Sequence, residues 1–88
     1  MRVEVTPTEM RRFSANLKQF NGQLRENSSR LMGQFRQLGE TWRDQDYEKF
    51  AQQFEQAARV FEQFAREADE YSNKLDRKAE AAEEYLRR

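Results

Sequence analysis

From Met10 onward the apolar residues recur at Met10, Phe13, Leu17, Phe20, Leu24, Leu31, Phe35, Leu38 and Trp42, a three-four alternation broken once. Met10, Leu17, Leu24, Leu31 and Leu38 form an unbroken column at seven-residue spacing, and side chains so spaced share one stripe of an α-helix. The pattern predicts a first helix over about residues 7–39, roughly 50 Å long. Its stripe turns polar at Asn27-Ser28-Ser29, where two readings stand: a register device or close crossing of facing helices, and a solvated mid-helix gap. Gly22 and Gly33, with Ala15 and Ser29, fall on the opposite face. There a close neighbouring helix and a merely exposed, weakened helix are equal alternatives, since Gly costs about 1 kcal/mol relative to Ala in a helix interior.

A second repeat begins after the turn. Tyr47, Phe54, Phe61, Ala68, Leu75 and Ala82 form one heptad column and Phe50, Ala57, Phe64 and Tyr71 another, with neither Pro nor Gly from Asp44 to Arg88. A seven-residue repeat kept over this length implies left-handed coiled-coil packing. The acid-first pairs Glu55/Arg59, Glu62/Arg66, Glu83/Arg87 and Glu84/Arg88 read as a solvated face with i,i+4 support.

Local signals set the boundaries. Thr6-Pro7-Thr8-Glu9 supplies an N-cap, a Pro at the first helical position and a Glu at the third, the pattern of a capping box. Met1 to Val5, with Val3 and Val5 alternating with charges, reads as a frayed terminus. Gly39 fits the position after a helix C-terminus, where a left-handed backbone favours Gly, and Asp44 fits the N-cap of the second helix with Asp46 in its first turn. These signals give an all-α chain: one domain over residues 1–88, a turn at about 40–43 and a second helix over about 44–86. A turn this short makes the two helices an antiparallel hairpin.

Composition narrows what such a hairpin does. Sixteen Lys and Arg balance sixteen Asp and Glu, leaving no net charge to attract nucleic acid or an anionic bilayer. No apolar run reaches the roughly 20 residues of a membrane span, and the N-terminal residues lack the apolar core of a signal peptide. His and Cys are both absent, which removes the usual bases, thiol nucleophiles and zinc ligands. The acids fall off the apolar stripes, where a carboxylate metal cluster would need them inside. No catalytic, cofactor or metal residue is therefore singled out, and the expectation is a non-enzymatic protein.

The seven Phe residues are too many for one hairpin to hide, and an 88-residue chain is too small to be comfortably stable alone. A second hairpin completing a four-helix bundle would cover them. The candidate interface comprises Met10, Phe13, Leu17, Phe20, Leu24, Leu31, Phe35 and Leu38 on the first helix, with Tyr47, Phe54, Phe61, Phe64 and Leu75 on the second.

The turn carries the most specific signal. Trp42-Arg43-Asp44, with Leu38 before it and Phe50 eight residues after the Trp, resembles the Trp-x-Gly signature of the small ESAT-like (WXG) proteins of type VII (ESX) secretion. Length, the Thr6-Pro7-Thr8-Glu9 opening and the hairpin extend the resemblance over nearly the whole chain. It implies pairing into an antiparallel four-helix bundle, as a homodimer or with a sister hairpin, and work as a secreted substrate or effector escort. By the same resemblance, partners include a larger secreted effector or a secretion ATPase, and the protein starts in the bacterial cytoplasm and leaves without a cleaved signal peptide. Trp42 matches the family Trp that helps shape a surface groove at the turn; plugging the hairpin end is the plainer role for it.

Two departures stand out. Asp44 replaces the Gly, and Tyr71 is followed four residues later by Leu75 rather than by the acidic residue of the family's C-terminal export signal, which a partner would then supply. The alternative is a coiled-coil adaptor or structural subunit of another bacterial complex, with no stable membrane insertion in either case.

Overall fold

The computed structural model describes residues 6–87, so the terminus expected at Met1 to Val5 and the Glu84/Arg88 pair lie outside the described residues. Those residues form two helices and no strand: α1, Pro7–Leu38, and α2, Gln45–Arg87, of 32 and 43 residues. The helices lie side by side as a hairpin 66 Å long and only 15 Å thick.

Each helix begins on a cap written in the sequence. The Thr6 hydroxyl accepts the backbone N–H of Glu9 at 3.3 Å, with Pro7 in the first turn where its missing N–H is harmless. The Asp44 carboxylate accepts the backbone N–H of Tyr47 at 3.1 Å, and Asp46 and Glu48 add negative charge at the positive end of the α2 dipole. Charge also divides between the helices: α1 carries six basic and two acidic residues, α2 eleven acidic and seven basic. Attraction between unlike helices favours the hairpin over two extended arms.

Gly39 departs from expectation. Its φ of −65° and ψ of −14° are right-handed, and no described residue has a positive φ. Instead of reversing in a left-handed step, the chain continues in a tightened turn, with Trp42 N–H donating to the Leu38 carbonyl at 3.0 Å and Thr41 N–H to the same oxygen at 3.2 Å. What requires Gly here is space, since a Cβ at this position would overlap the Tyr47 phenol.

The line along which α1 meets α2 is one row away from the Leu column. It consists of Ser14, Asn21, Ser28 and Phe35 on α1 and Ala58, Ala65, Ser72 and Ala79 on α2, buried except for the half-buried Ser28 and Ala58. Small side chains at heptad spacing let the two backbones approach closely, and close approach allows polar atoms to reach main chain across the seam. Ser14 Oγ donates to the Ser72 carbonyl at 3.1 Å, and Asn21 Nδ2 donates to the Ala65 carbonyl at 2.7 Å and to Asp69 Oδ1 at 2.9 Å. Asn21, Ser14 and Ser72 are the largest fully buried side chains. The interior of the hairpin is thus narrow and partly polar, and among the described residues Phe35, near the turn, is its one large apolar member.

Ion pairs close one flank of this seam. Arg11 meets Glu83 at 2.5 Å, Lys18 meets Asp76 at 2.6 Å and Arg25 meets Asp69 at 2.9 Å, each pair seven residues from the next on both helices. Glu83, expected to pair with Arg87, instead bonds Arg11 across the hairpin, whereas Glu55 and Glu62 do reach Arg59 and Arg66 within α2, at 3.9 and 4.0 Å. Exposed pairs stabilise little individually. Their consequence is register, and a polar back that leaves the opposite flank to the apolar columns.

Candidate functional site

Two features of the hairpin present chemistry to a partner: the turn and the apolar flank. At the turn, Phe35 is the centre of an aromatic cluster. Tyr47 and Phe54 stack on it with centroids at 4.9 and 4.8 Å, and Phe50 is tilted against it at 5.6 Å. Trp42, half-buried, lies edge-on to Tyr47 at 5.4 Å. Stacked and edge-to-face rings at these distances add to the burial of their area, so the cluster closes the end where the backbones diverge around the turn.

Asp44 links this cluster to the start of α2. The Trp42 indole N–H and then the Tyr47 backbone N–H hold its carboxyl below the usual carboxylate range. The Asp44 carboxylate thus caps α2 through the Tyr47 N–H at 3.1 Å, a bond that a Gly cannot make. Gly39, Trp42, Arg43, Asp44, Gln45, Tyr47 and Glu48 line an open depression of about 410 Å³.

Along the second feature, the residues of the expected interface occupy one flank. Phe13, Phe20, Leu31, Leu38, Phe61 and Phe64 are exposed, Phe13 by 59% and Phe20 by 53%. Met10, Leu17, Leu24, Tyr47, Phe54 and Leu75 are half-buried, and Phe35 is enclosed within the hairpin. Phe20 and Phe64 meet edge-on at 6.5 Å from opposite helices. Phe13, Leu17, Phe64, Ala68, Tyr71 and Leu75 line a depression of about 360 Å³ with Glu67 at its edge, and Ser28, Leu31, Met32, Phe54, Ala57, Ala58 and Phe61 line one of about 180 Å³. A monomeric soluble protein rarely exposes a continuous apolar strip of this extent.

Sequence periodicity missed the seam and the ion-pair flank. The Ala58, Ala65, Ser72 and Ala79 row and the Glu62, Asp69, Asp76 and Glu83 row are both heptad columns, so period alone would have found them; small and charged residues simply carry less hydrophobic signal than Leu and Phe. Gly22 and Gly33 face open space, with no neighbouring atom within 4 Å of where a Cβ would stand, so the other arm of the hairpin does not pack there. Among the described residues no acidic cluster is arranged to hold a metal ion, and no helix is long and apolar enough to cross a membrane.

The family model for WXG100, proteins of 100 residues with WXG, matches residues 2–85. This hairpin, with its Trp at the turn, therefore belongs to the WXG100 family. Among solved structures, a glutamate-to-glutamine mutant of the secreted protein EsxB from Bacillus anthracis str. Sterne superposes with a TM-score of 0.82 at 26% identity, covering 94% of this chain and 99% of that one. The wild-type EsxB crystal structure gives a TM-score of 0.79 at 26% identity over 92% and 93% of the two chains. No curated protein sequence matches the chain.

Proposed function

We propose that this chain is a non-enzymatic, ESAT-like protein of a type VII-like secretion system that works as a dimer, either as a secreted substrate or as an escort of effectors. The observation that carries the dimer is the one-sided hairpin: ion pairs cover one flank of the seam while Phe13, Phe20, Leu31, Phe61 and Phe64 stand exposed on the other. A second hairpin laid on that flank makes a four-helix bundle with an apolar centre. Family membership and the likeness to a secreted protein support export.

In this reading the depression at Trp42 receives a segment of a larger secretion partner, with the edge contact to Tyr47 setting the pose of the indole. Analytical ultracentrifugation at micromolar concentration, with an assay of the culture medium of native cells, tests both parts. A dimer and its presence in the medium are expected. A stable folded monomer contradicts the dimer, and an intact dimer retained in the cell together with its partners contradicts the secreted role in favour of an intracellular adaptor. Trp42→Ala with the dimer intact and export or effector binding lost marks Trp42 as a recognition residue; unfolding marks it as a plug.

A further inference from the structure

We propose that residues 27–33 of α1 form a local hinge, which opens while α2 stays helical and the far end of the hairpin stays closed. The turn end, with the Trp42 depression, then moves as a unit of its own. Three independent features coincide at this level of the hairpin.

The first is a gap in the packing. The seam is buried at Ser14, Asn21 and Phe35 on α1 and at Ala65, Ser72 and Ala79 on α2, but only half-buried at Ser28 and Ala58. Its cause lies on either side. One heptad away from the turn, Asn21 Nδ2 reaches the Ala65 carbonyl at 2.7 Å and draws the backbones together, whereas one heptad towards the turn Tyr47 and Phe54 stack on Phe35 and hold them apart. Ser28 and Ala58 are too small to fill the space between. Together with Met32 and Phe61 they line two hollows at once, one of about 300 Å³ bordered by Arg25, Ser29 and Glu62, the other of about 180 Å³ bordered by Leu31, Phe54 and Ala57. Side chains that face unfilled space forfeit the contacts of a packed interior.

The second is where the polar ties stop. Arg25, on Asp69 at 2.9 Å, is the last residue of the basic row, and Met32 stands in the next place. Glu55 accordingly turns to Arg59 of its own helix, at 3.9 Å. Among the described residues no hydrogen bond or ion pair joins α1 to α2 between Arg25 and the turn.

The third is the helix itself. Asn27, Ser28, Ser29 and Gly33 place four poor helix formers within seven residues, each less favourable than Ala in a helix interior. Packing does not compensate at Gly33, where a Cβ would meet no atom within 4 Å. Across the gap α2 carries Ala57 and Ala58, with no Gly or Pro anywhere in its length. A weak helix over a packing gap, between two well-packed blocks, is where a structure opens locally.

Native-state hydrogen exchange on the folded protein tests the hinge. Corrected for intrinsic rates, amides of residues 27–33 should exchange at least about tenfold faster than those of residues 14–24 of α1 and 51–62 of α2. Equal protection along α1, or matching loss in residues 51–62, overturns the proposal. Gly33→Ala should slow exchange over residues 27–33 by up to about fivefold, whereas Gly22→Ala, which also meets no neighbour, should leave those amides unchanged. Equal slowing by both variants means global opening and overturns the hinge, as does no slowing by Gly33→Ala. Packing gives a separate reading within one row. Ala58→Leu should raise the melting temperature because the hollows take the added atoms, and Ala65→Leu, at a site 1% exposed, should lower it by overpacking. A drop in Ala58→Leu like that in Ala65→Leu overturns the gap and the hinge with it.

Discussion

Replacing Gly39 by Ala separates two physical reasons for a glycine at the end of a helix. Because Gly39 is right-handed, with φ at −65°, Ala fits the backbone without strain. By itself that substitution should stabilise by about 0.4–1 kcal/mol through the smaller entropy of the unfolded chain. The added methyl, however, overlaps the phenol of Tyr47, whose ring can yield only by giving up its stacking on Phe35 and its edge contact with Trp42. Overpacking of this kind costs about 1–3 kcal/mol, so the net loss should be about 1–2 kcal/mol. For a chain of this size that lowers the melting temperature by about 4–8 °C per kcal/mol.

The decisive measurement is a double-mutant cycle by thermal or urea denaturation, at one protomer concentration because association shifts apparent stability. In a Tyr47→Ala background the contact is gone, and Gly39→Ala should turn neutral or stabilising. The coupling between the two sites is then about 2 kcal/mol, within the range of directly contacting residues. Equal destabilisation in both backgrounds would show that the glycine serves a left-handed turn after all. Stabilisation in the wild-type background would refute the contact.

The remaining predictions concern the seam, the ion-pair flank and the α2 cap. Asn21→Ala should cost about 1–3 kcal/mol, because it removes two hydrogen bonds across the seam, one of them to the Asp69 carboxylate; chemical denaturation reads it. The Asp69 carboxyl is held below its ordinary range by Asn21 and then Arg25, Asp76 by Lys18 and then Ser14, and Glu83 by Arg11. A depressed folded value adds stability above the unfolded value, near pH 4, and that contribution is lost as pH falls through the folded one. Melting temperature should therefore fall on the acid side of about pH 4, more shallowly in Asp76→Asn than in the wild type. Asp44→Ala should destabilise more than Asp44→Gly, since Gly is a tolerated N-cap and Ala is a poor one, and comparison of the two melting curves checks it.

The sequence by itself determined the two long helices, their caps at Thr6 and Asp44, the place of the turn, and the family, because capping chemistry and heptad period are local properties that a chain displays without folding. It also marked the Leu and Phe columns as surfaces in need of cover. Only the tertiary structure decided which row each helix gives to the other. Periodicity ranks rows by hydrophobicity, whereas two helices of one hairpin meet along the row that permits the closest backbones, and here that row is Ser14, Asn21, Ala65 and Ser72. The same distinction governs Gly39. Its type was legible as the end of a helix, but the reason for it is a ring eight residues further on, a contact that exists only once the chain has folded back on itself.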